Sequence, residues 1–134
     1  MNEKEMKAVN TTALAFLGDA VYEVAVRKHI LDTGQVNADK LHRIAVGFVR
    51  AEGQAAALKE LMDELTAEEQ ALVRRARNRK ITSKPKNADP VIYKLATAFE
   101  ALIGWLYLSG NGERLRWLVG RSIKIINTKR GKNE

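Results

Sequence analysis

Apolar residues recur along the chain at the three- and four-residue spacing of helices, and no useful length alternates as a half-buried strand does. The pattern predicts helices over about 11–31, 37–49, 54–65, 67–80, 90–108 and 113–127. No internal repeat, low-complexity run or glycine- or proline-rich linker divides them. We therefore expect an all-α fold of about six or seven helices in a single domain, residues 1–128, followed by a disordered charged tail, residues 129–134.

Helix start and stop signals separate these segments. The candidate caps are Asn10 or Thr11, Asn37 or Asp39, Thr66 with Glu69, and Asp89 followed by Pro90. The stop signals are Asp-Thr-Gly at 32–34 and Ser-Gly-Asn-Gly at 109–112. Gly47 and Gly53 are poor helix formers, so they predict an interruption before the third helix.

Two predicted helices, 12–30 and 91–108, are apolar around most of their circumference, yet each carries a carboxylate. Asp19 follows Gly18 in LAFLGDAVYE, and Glu100 is the sole acid in YKLATAFEALIGWLYL. Burying a carboxylate is costly unless it has a partner. One interpretation is that Asp19 and Glu100 converge on a divalent cation. The other is that each pairs with Arg or Lys or caps a helix end, and that Gly18 only allows close helix packing.

The composition limits the nucleophiles and the metal ligands that the chain can provide. The chain of 134 residues has no cysteine, which excludes disulfides, thiolate metal sites and a cysteine nucleophile. His29 and His42 complete no metal-ligand motif, so a bound metal would be Mg²⁺ or Mn²⁺ on oxygen ligands. The first ten residues lack the apolar core of a secretory signal, and Lys94 and Glu100 interrupt the apolar stretch 91–108. We expect a cytoplasmic protein with no membrane partner, in which 91–108 is a buried helix.

Charge is divided unevenly along the chain. Residues 1–73 carry 8 Lys/Arg and 12 Asp/Glu, whereas residues 74–134 carry 15 Lys/Arg and 4 Asp/Glu. Within the basic half, the segment RRARNRKITSKPK, residues 74–86, has seven basic residues and no acid. Such a segment favours binding to a polyanion, nucleic acid before an anionic membrane; the alternative is a solvated surface with no binding role.

The same segment contains no aromatic residue. That absence favours contact with the backbone of a duplex over base stacking on single strands. The candidate nucleic-acid-binding residues are Arg74, Arg77, Arg79, Lys80, Lys84 and Lys86.

Two motifs together resemble the ribonuclease III family. LAFLGDAVYE is similar to the signature helix of its catalytic domain, and TAFEALIGWLYL, about eighty residues later, is similar to a later helix of that domain. KNADPVIYKLATAFEALIG resembles the short subgroup known as Mini-ribonuclease III, and the similarity covers essentially the whole chain. The resemblance implies a Mg²⁺-dependent endoribonuclease, with Mn²⁺ as a substitute, that cuts double-stranded RNA to 5′-phosphate and 3′-hydroxyl ends. It further implies a role in maturing precursor ribosomal RNA of the large subunit.

The resemblance assigns the catalytic and metal-binding roles to Asp19 and Glu100, which match the FLGD and FEALIG-like motifs. They would hold Mg²⁺, and the cation would lower the pKa of an attacking water and stabilise charge on the phosphate. Larger ribonucleases III carry carboxylates where this chain has Thr12, Ala15 and Thr97. The number of metal ions, and the groups that replace these carboxylates, stay open.

Larger ribonucleases III also continue into a double-stranded-RNA-binding domain, so we expect the basic half of this chain to capture RNA instead. Two helices apolar on more than one face predict a homodimer, which is also what the family resemblance implies. A non-catalytic double-stranded-RNA-binding or scaffold protein is the alternative, and a helical DNA-binding module is a weaker third. The sequence identifies neither the natural cleavage site nor any auxiliary ribosomal protein.

Overall fold

Six α-helices make up the computed structural model, which describes residues 9–80 and 84–133. They are α1 (Thr11–Asp32), α2 (Ala38–Val49), α3 (Ala51–Leu61), α4 (Ala67–Asn78), α5 (Pro90–Leu108) and α6 (Gly112–Asn133). One turn of 3₁₀ helix, Met62–Glu64, follows α3. No strand occurs in the part of the chain that the structure describes, and the all-α prediction is confirmed.

Four helices begin at predicted capping residues. Asn10 caps α1, Asn37 caps α2 and Asp89 caps α5, each by accepting hydrogen bonds from backbone N–H groups of the first turn. At α4, the Thr66 N–H donates to Glu69 Oε1 at 2.8 Å, and the Glu69 N–H donates to Thr66 Oγ1 at 3.1 Å. This capping box satisfies two backbone donors that a helix start would otherwise leave unpaired.

Two predicted helix boundaries are wrong. α3 begins at Ala51 rather than near Gln54, because the extended backbone of Arg50 (ψ 145°) already separates it from α2, and α3 then accommodates Gly53. α6 continues to Asn133 rather than ending near residue 127, so its backbone is helical over most of the segment expected to be a disordered tail. No proline interrupts α6, so its backbone can continue past residue 127.

α5 is the central helix and packs against α1, α3, α4 and α6. Nine of its residues are buried. Among the described residues it is long and apolar enough to cross a bilayer, but its side chains form the core of the bundle, as predicted. Leu14 of α1, Leu58 of α3 and Leu118 of α6 are almost fully buried in that core.

A partly buried ion pair ties the start of α6 to α4. Arg114 Nε donates to Glu69 Oε2 at 2.9 Å, and Arg114 Nη2 donates to Glu69 Oε1 at 2.7 Å and to the backbone carbonyl of Glu64 at 2.9 Å. Burial alone would raise the pKa of Glu69, but the hydrogen bonds from Arg114 and Thr66 outweigh it and hold the pKa below its ordinary value. Arg114 therefore has a structural role.

Candidate active site

Two glycines set the close approach of α1 and α5. A Cβ at Gly18 would overlap the backbone carbonyl of Glu100, and it would lie 2.9 Å from the backbone nitrogen of Gly104. A Cβ at Gly104 would overlap the backbone carbonyl of Leu14. Because these obstacles are backbone atoms, no rotamer change can remove them. The crossing requires both glycines, and it places Asp19, the residue after Gly18, beside Glu100.

Asp19 and Glu100 form a carboxyl pair at this crossing. The side chain of Asp19 is exposed, whereas Glu100 is half-buried. The pKa of Glu100 is raised to about 8, first because burial disfavours its charged form, and second because a hydrogen bond to Asp19 and the negative charge of Asp19 favour a proton on it. The charged group that acts on Glu100 is thus Asp19, the other acid predicted from the sequence, and not an Arg or a Lys. In the absence of a cation, burial and the neighbouring Asp19 therefore favour the protonated form of Glu100.

Two further side chains border Glu100. Tyr22, one turn after Asp19, is buried and donates from its hydroxyl to the backbone carbonyl of Phe48 at 3.0 Å. Burial and then the charge of Glu100 raise the pKa of Tyr22. The amide of Gln54 on α3 favours the ionised form of Glu100. Neither residue was a candidate from the sequence, although Gln54 is the sole polar residue among the buried positions of α3.

The three positions without the expected carboxylates lie in different environments. Thr12 is exposed, Ala15 is buried, and the Thr97 hydroxyl donates to the backbone carbonyl of Tyr93 at 2.8 Å. Within residues 9–80 and 84–133, no group of three His, Cys, Asp or Glu side chains is placed to hold a metal ion. Any cation at this site therefore has two carboxylates of the described chain available.

Two carboxylates are a sufficient protein contribution for Mg²⁺. This ion commonly binds through one or two carboxylates and completes its shell with waters and substrate phosphate oxygens. The exposure of Asp19 leaves one side of the pair open to such ligands, while Glu100 anchors the other side against the core. The donor set, oxygen only and with no histidine or thiolate, suits Mg²⁺ or Mn²⁺ and not Zn²⁺.

The predicted RNA-binding residues are all exposed. Arg74 and Arg77 lie on the last turns of α4, Arg79 and Lys80 follow it, and Lys84 and Lys86 lie in the loop before α5. Residues 81–83 of the same segment are outside the described residues. Part of the basic segment reaches α1: Arg79 and Lys80 line a shallow surface depression together with Thr12 and Phe16. The structure thus brings two basic residues to the helix that carries Asp19.

Two basic residues of α6 are less available. Arg114 is held by Glu69, and Arg121 Nη2 lies 2.8 Å from Glu64 Oε2. Lys124 is exposed. A phosphate group that binds Arg114 or Arg121 would therefore have to compete with the carboxylates of Glu69 and Glu64.

Comparison with known proteins identifies the domain. A family model described as Ribonuclease III domain matches residues 12–111, a range that includes Asp19, Glu100 and the basic segment. The chain belongs to the ribonuclease III family. This ribonuclease III-family protein is 53% identical over 102 residues to a Mini-ribonuclease 3 of Symbiobacterium thermophilum, with 76% of this chain and 78% of the relative covered. It is 46% identical over 123 residues to a Mini-ribonuclease 3 of Brevibacillus brevis, with 92% of each covered.

A solved structure supports the same assignment. The crystal structure of a protein from Fusobacterium nucleatum superposes on this ribonuclease III-family protein with a TM-score of 0.79 at 32% identity, covering 90% of this chain and 96% of the other. Fold and family agree, and they support an endoribonuclease of the ribonuclease III type that acts on RNA. The recognition made from the two sequence motifs is confirmed.

Proposed function

We propose that this ribonuclease III-family protein is a Mg²⁺-dependent endoribonuclease that cuts double-stranded RNA as a homodimer in the cytoplasm. The observation that carries the proposal is the carboxyl pair, Asp19 with Glu100, held at the glycine crossing of α1 and α5. The role in maturing large-subunit ribosomal RNA rests on the resemblance to the Mini-ribonuclease III subgroup, whose name the relatives carry.

The chemistry needs negative oxygen ligands at a position that a phosphate can reach. Asp19 and Glu100 would hold the cation, and Glu100 would release its proton to do so. When bound, Mg²⁺ would supply a water of lowered pKa and a positive charge to offset that of the phosphate. Asp19 faces the solvent side, where the RNA backbone would approach, and Tyr22 and Gln54 border Glu100 on the protein side.

A dimer is supported by an open apolar stripe on α1. Phe16, Val24 and Leu31 are 84%, 68% and 56% exposed, and with Ala13 and Ala20 they follow the spacing of one helix face. An apolar stripe on an otherwise packed helix suits a second copy of the same surface. A two-fold dimer would offer one carboxyl pair to each strand of a duplex.

A non-catalytic double-stranded-RNA-binding protein is the second candidate. The observation that favours it is the small number of ligands, because the described residues contain no third acid at the site. Retention of both Asp19 and Glu100 in contact with each other favours the enzyme, since a scaffold needs neither the crossing glycines nor the acidic pair.

The test is a cleavage assay with duplex RNA, duplex DNA and single-stranded RNA, each with Mg²⁺ or EDTA. We expect cleavage of duplex RNA with Mg²⁺ only, and 5′-phosphate and 3′-hydroxyl product ends. Asp19→Asn and Glu100→Gln should each abolish cleavage while duplex binding persists, because the amides keep size but remove the charge that holds a cation. Asp32→Asn is the matched control on α1, since Asp32 forms an exposed pair with Lys28, which contributes little to stability.

Near-normal turnover by Asp19→Asn or Glu100→Gln at saturating Mg²⁺ would remove that residue from the mechanism. Duplex binding without cleavage by the wild type, under any divalent cation, would establish the scaffold function instead.

A further inference from the structure

The amide of Gln54 is an unusual feature of the core. Its side chain is 3% exposed, and Nε2 has no hydrogen-bond partner among the described residues, the one buried side-chain atom there of which this is true. An unsatisfied buried donor destabilises the folded state, because it has lost its hydrogen bonds to water. A methionine or leucine of similar volume would fill the same space in α3 without that cost. A packing role alone does not explain a glutamine at this position.

The surroundings of Gln54 point to the site. α3 packs on α5, and the Gln54 amide is close enough to Glu100 to stabilise its ionised form, although the pair falls short of a complete hydrogen bond. Glu100 is also the residue that faces Asp19. The unpaired N–H of Gln54 therefore lies next to the one carboxyl group of the site that is half-buried.

The backbone around Gln54 is held in place by α1. The Gln54 N–H donates to the backbone carbonyl of Arg50 at 3.1 Å, so Gln54 lies in the first turn of α3. Two residues before Arg50, the backbone carbonyl of Phe48 accepts the hydrogen bond of Tyr22. The helix that supplies Asp19 thus also fixes the end of α2 from which α3, and with it Gln54, departs. Such a supporting shell is what holds ligands in productive geometry at metal sites.

We propose that Gln54 is a positioning residue of the active site, whose Nε2 donates a hydrogen bond to the Glu100 carboxylate and holds it facing Asp19 when a divalent cation is bound. The expected effect of Gln54 on catalysis rests on the proposed function. The expected hydrogen bond from Gln54 to Glu100 does not. The ionised, cation-bound carboxylate is the acceptor that the unpaired N–H lacks. Gln54 takes no part in bond making or breaking.

The primary variant is Gln54→Met, which keeps the length of the side chain and removes its donor. Because it also removes an unsatisfied group, we expect a melting temperature equal to or above that of the wild type. The affinity of the RNA-free protein for Mn²⁺, measured by calorimetry, should fall 10- to 100-fold, as is typical for loss of a group that orients a metal ligand. With duplex RNA, kcat should fall by a similar factor and KM should stay unchanged.

Gln70→Met is the matched control. Gln70 Nε2 donates to the backbone carbonyl of Met62 at 2.7 Å, so it is a glutamine with a purely structural hydrogen bond on a different helix. This variant should lower the melting temperature and leave Mn²⁺ affinity and kcat unchanged. The opposite pattern in the two variants separates a positioning role from a structural one.

A second measurement uses the wild type alone and so does not depend on the folding of a variant. In NMR spectra with through-bond assignment, the side-chain amide signals of Gln54 should shift when Mg²⁺ is added, and those of Gln70 should not. Unmoved Gln54 signals at saturating Mg²⁺, or wild-type kcat and Mn²⁺ affinity in Gln54→Met, would overturn the inference. Wild-type protein that binds Mg²⁺ with these shifts but leaves RNA intact would instead overturn the proposed function and keep Gln54 as a positioning residue.

Discussion

Replacing Gly18 with alanine should separate α1 from α5 and destabilise the fold. The added methyl group would overlap the carbonyl carbon and oxygen of Glu100 and crowd the backbone nitrogen of Gly104. In an exposed helix the same change would stabilise by about 1 kcal/mol, because alanine has the higher helix propensity. Overpacking of a close-packed core costs about 1–3 kcal/mol, and a clash with rigid backbone lies at the upper end. The net expectation for Gly18→Ala is therefore a loss of about 2 kcal/mol.

Gly120→Ala is the matched control. Gly120 lies within α6 and is exposed, and beyond the neighbouring backbone of α6 itself nothing lies within 4 Å of the position that a Cβ would take. It should stabilise the protein by about 0.5–1 kcal/mol. The two substitutions are chemically identical, so the difference of about 3 kcal/mol between them measures the helix crossing alone.

The assay is urea denaturation followed by circular dichroism at one fixed protein concentration, since a dimer would make apparent stability depend on concentration. Gly104→Ala should resemble Gly18→Ala, and the double variant should cost less than the two losses added, because the first methyl group already separates the helices. Cleavage should fall in both single variants under conditions where they stay folded, because Asp19 moves away from Glu100. A Gly18→Ala protein as stable as Gly120→Ala would refute this account of the crossing.

Further predictions concern the ion pair, pH, the stripe on α1 and the basic segment. Glu69→Gln should cost about 1–2 kcal/mol, since it removes the charge-assisted hydrogen bonds to Arg114, whose partly exposed side chain water can still solvate. Wild-type stability should also fall, relative to Glu69→Gln, as pH drops below 4.5 through the lowered pKa of Glu69; urea titrations at several pH values check both. The raised pKa of Glu100 makes stability depend on pH in the opposite direction. In EDTA, the contribution of Glu100 to stability is complete below pH 4.5 and is lost as pH rises towards about 8, so the wild type should lose stability relative to Glu100→Gln over that window. Phe16→Gln should give monomers by light scattering while Val36→Gln, equally exposed but outside α1, stays dimeric; monomers in the wild type would contradict the interface. Replacing five residues of the basic segment by alanine should flatten the dependence of duplex affinity on salt, by roughly 0.9 in the log–log slope for each phosphate that the variant no longer neutralises. These five are Arg77, Arg79, Lys80, Lys84 and Lys86. An unchanged slope would place the binding surface elsewhere, for example on α6 around the exposed Lys124.

The sequence predicted features whose cause is local. The caps at Asn10, Asn37, Thr66 and Asp89 depend on hydrogen bonds to residues two or three positions away, so a short stretch of sequence contains all the necessary information. The start of α3 was mispredicted because Gly53 has a low helix propensity. That preference is weak, and the burial of Ala55, Leu58 and Leu61 of the same helix in the core outweighs it.

The same difference between local and long-range causes decides which residues of the site could be predicted from the sequence. Asp19 and Glu100 were found because carboxylates stand out in apolar helices. Gln54 was missed because its meaning depends on burial and on a neighbour 46 positions later in the chain, neither of which a helical pattern specifies. For Gly18 the sequence left two interpretations open, a site residue or a packing residue. The crossing shows that these are one role, since the same contact that excludes a Cβ brings the two carboxyl groups together.

The position of Asp19 around α1 connects the site to the proposed dimer. With about 100° of rotation per residue, Asp19 lies about 100° from Gly18 on the buried side and about 60° from Phe16 on the open side. It therefore occupies the border between the face that packs on α5 and the exposed apolar stripe. A second copy seated on that stripe would cover Phe16 and leave Asp19 at the edge of the interface, still open to an RNA backbone. Loss of the dimer through Phe16→Gln should accordingly weaken duplex binding and cleavage but leave Mn²⁺ affinity unchanged, because Asp19, Glu100 and Gln54 all belong to the same chain.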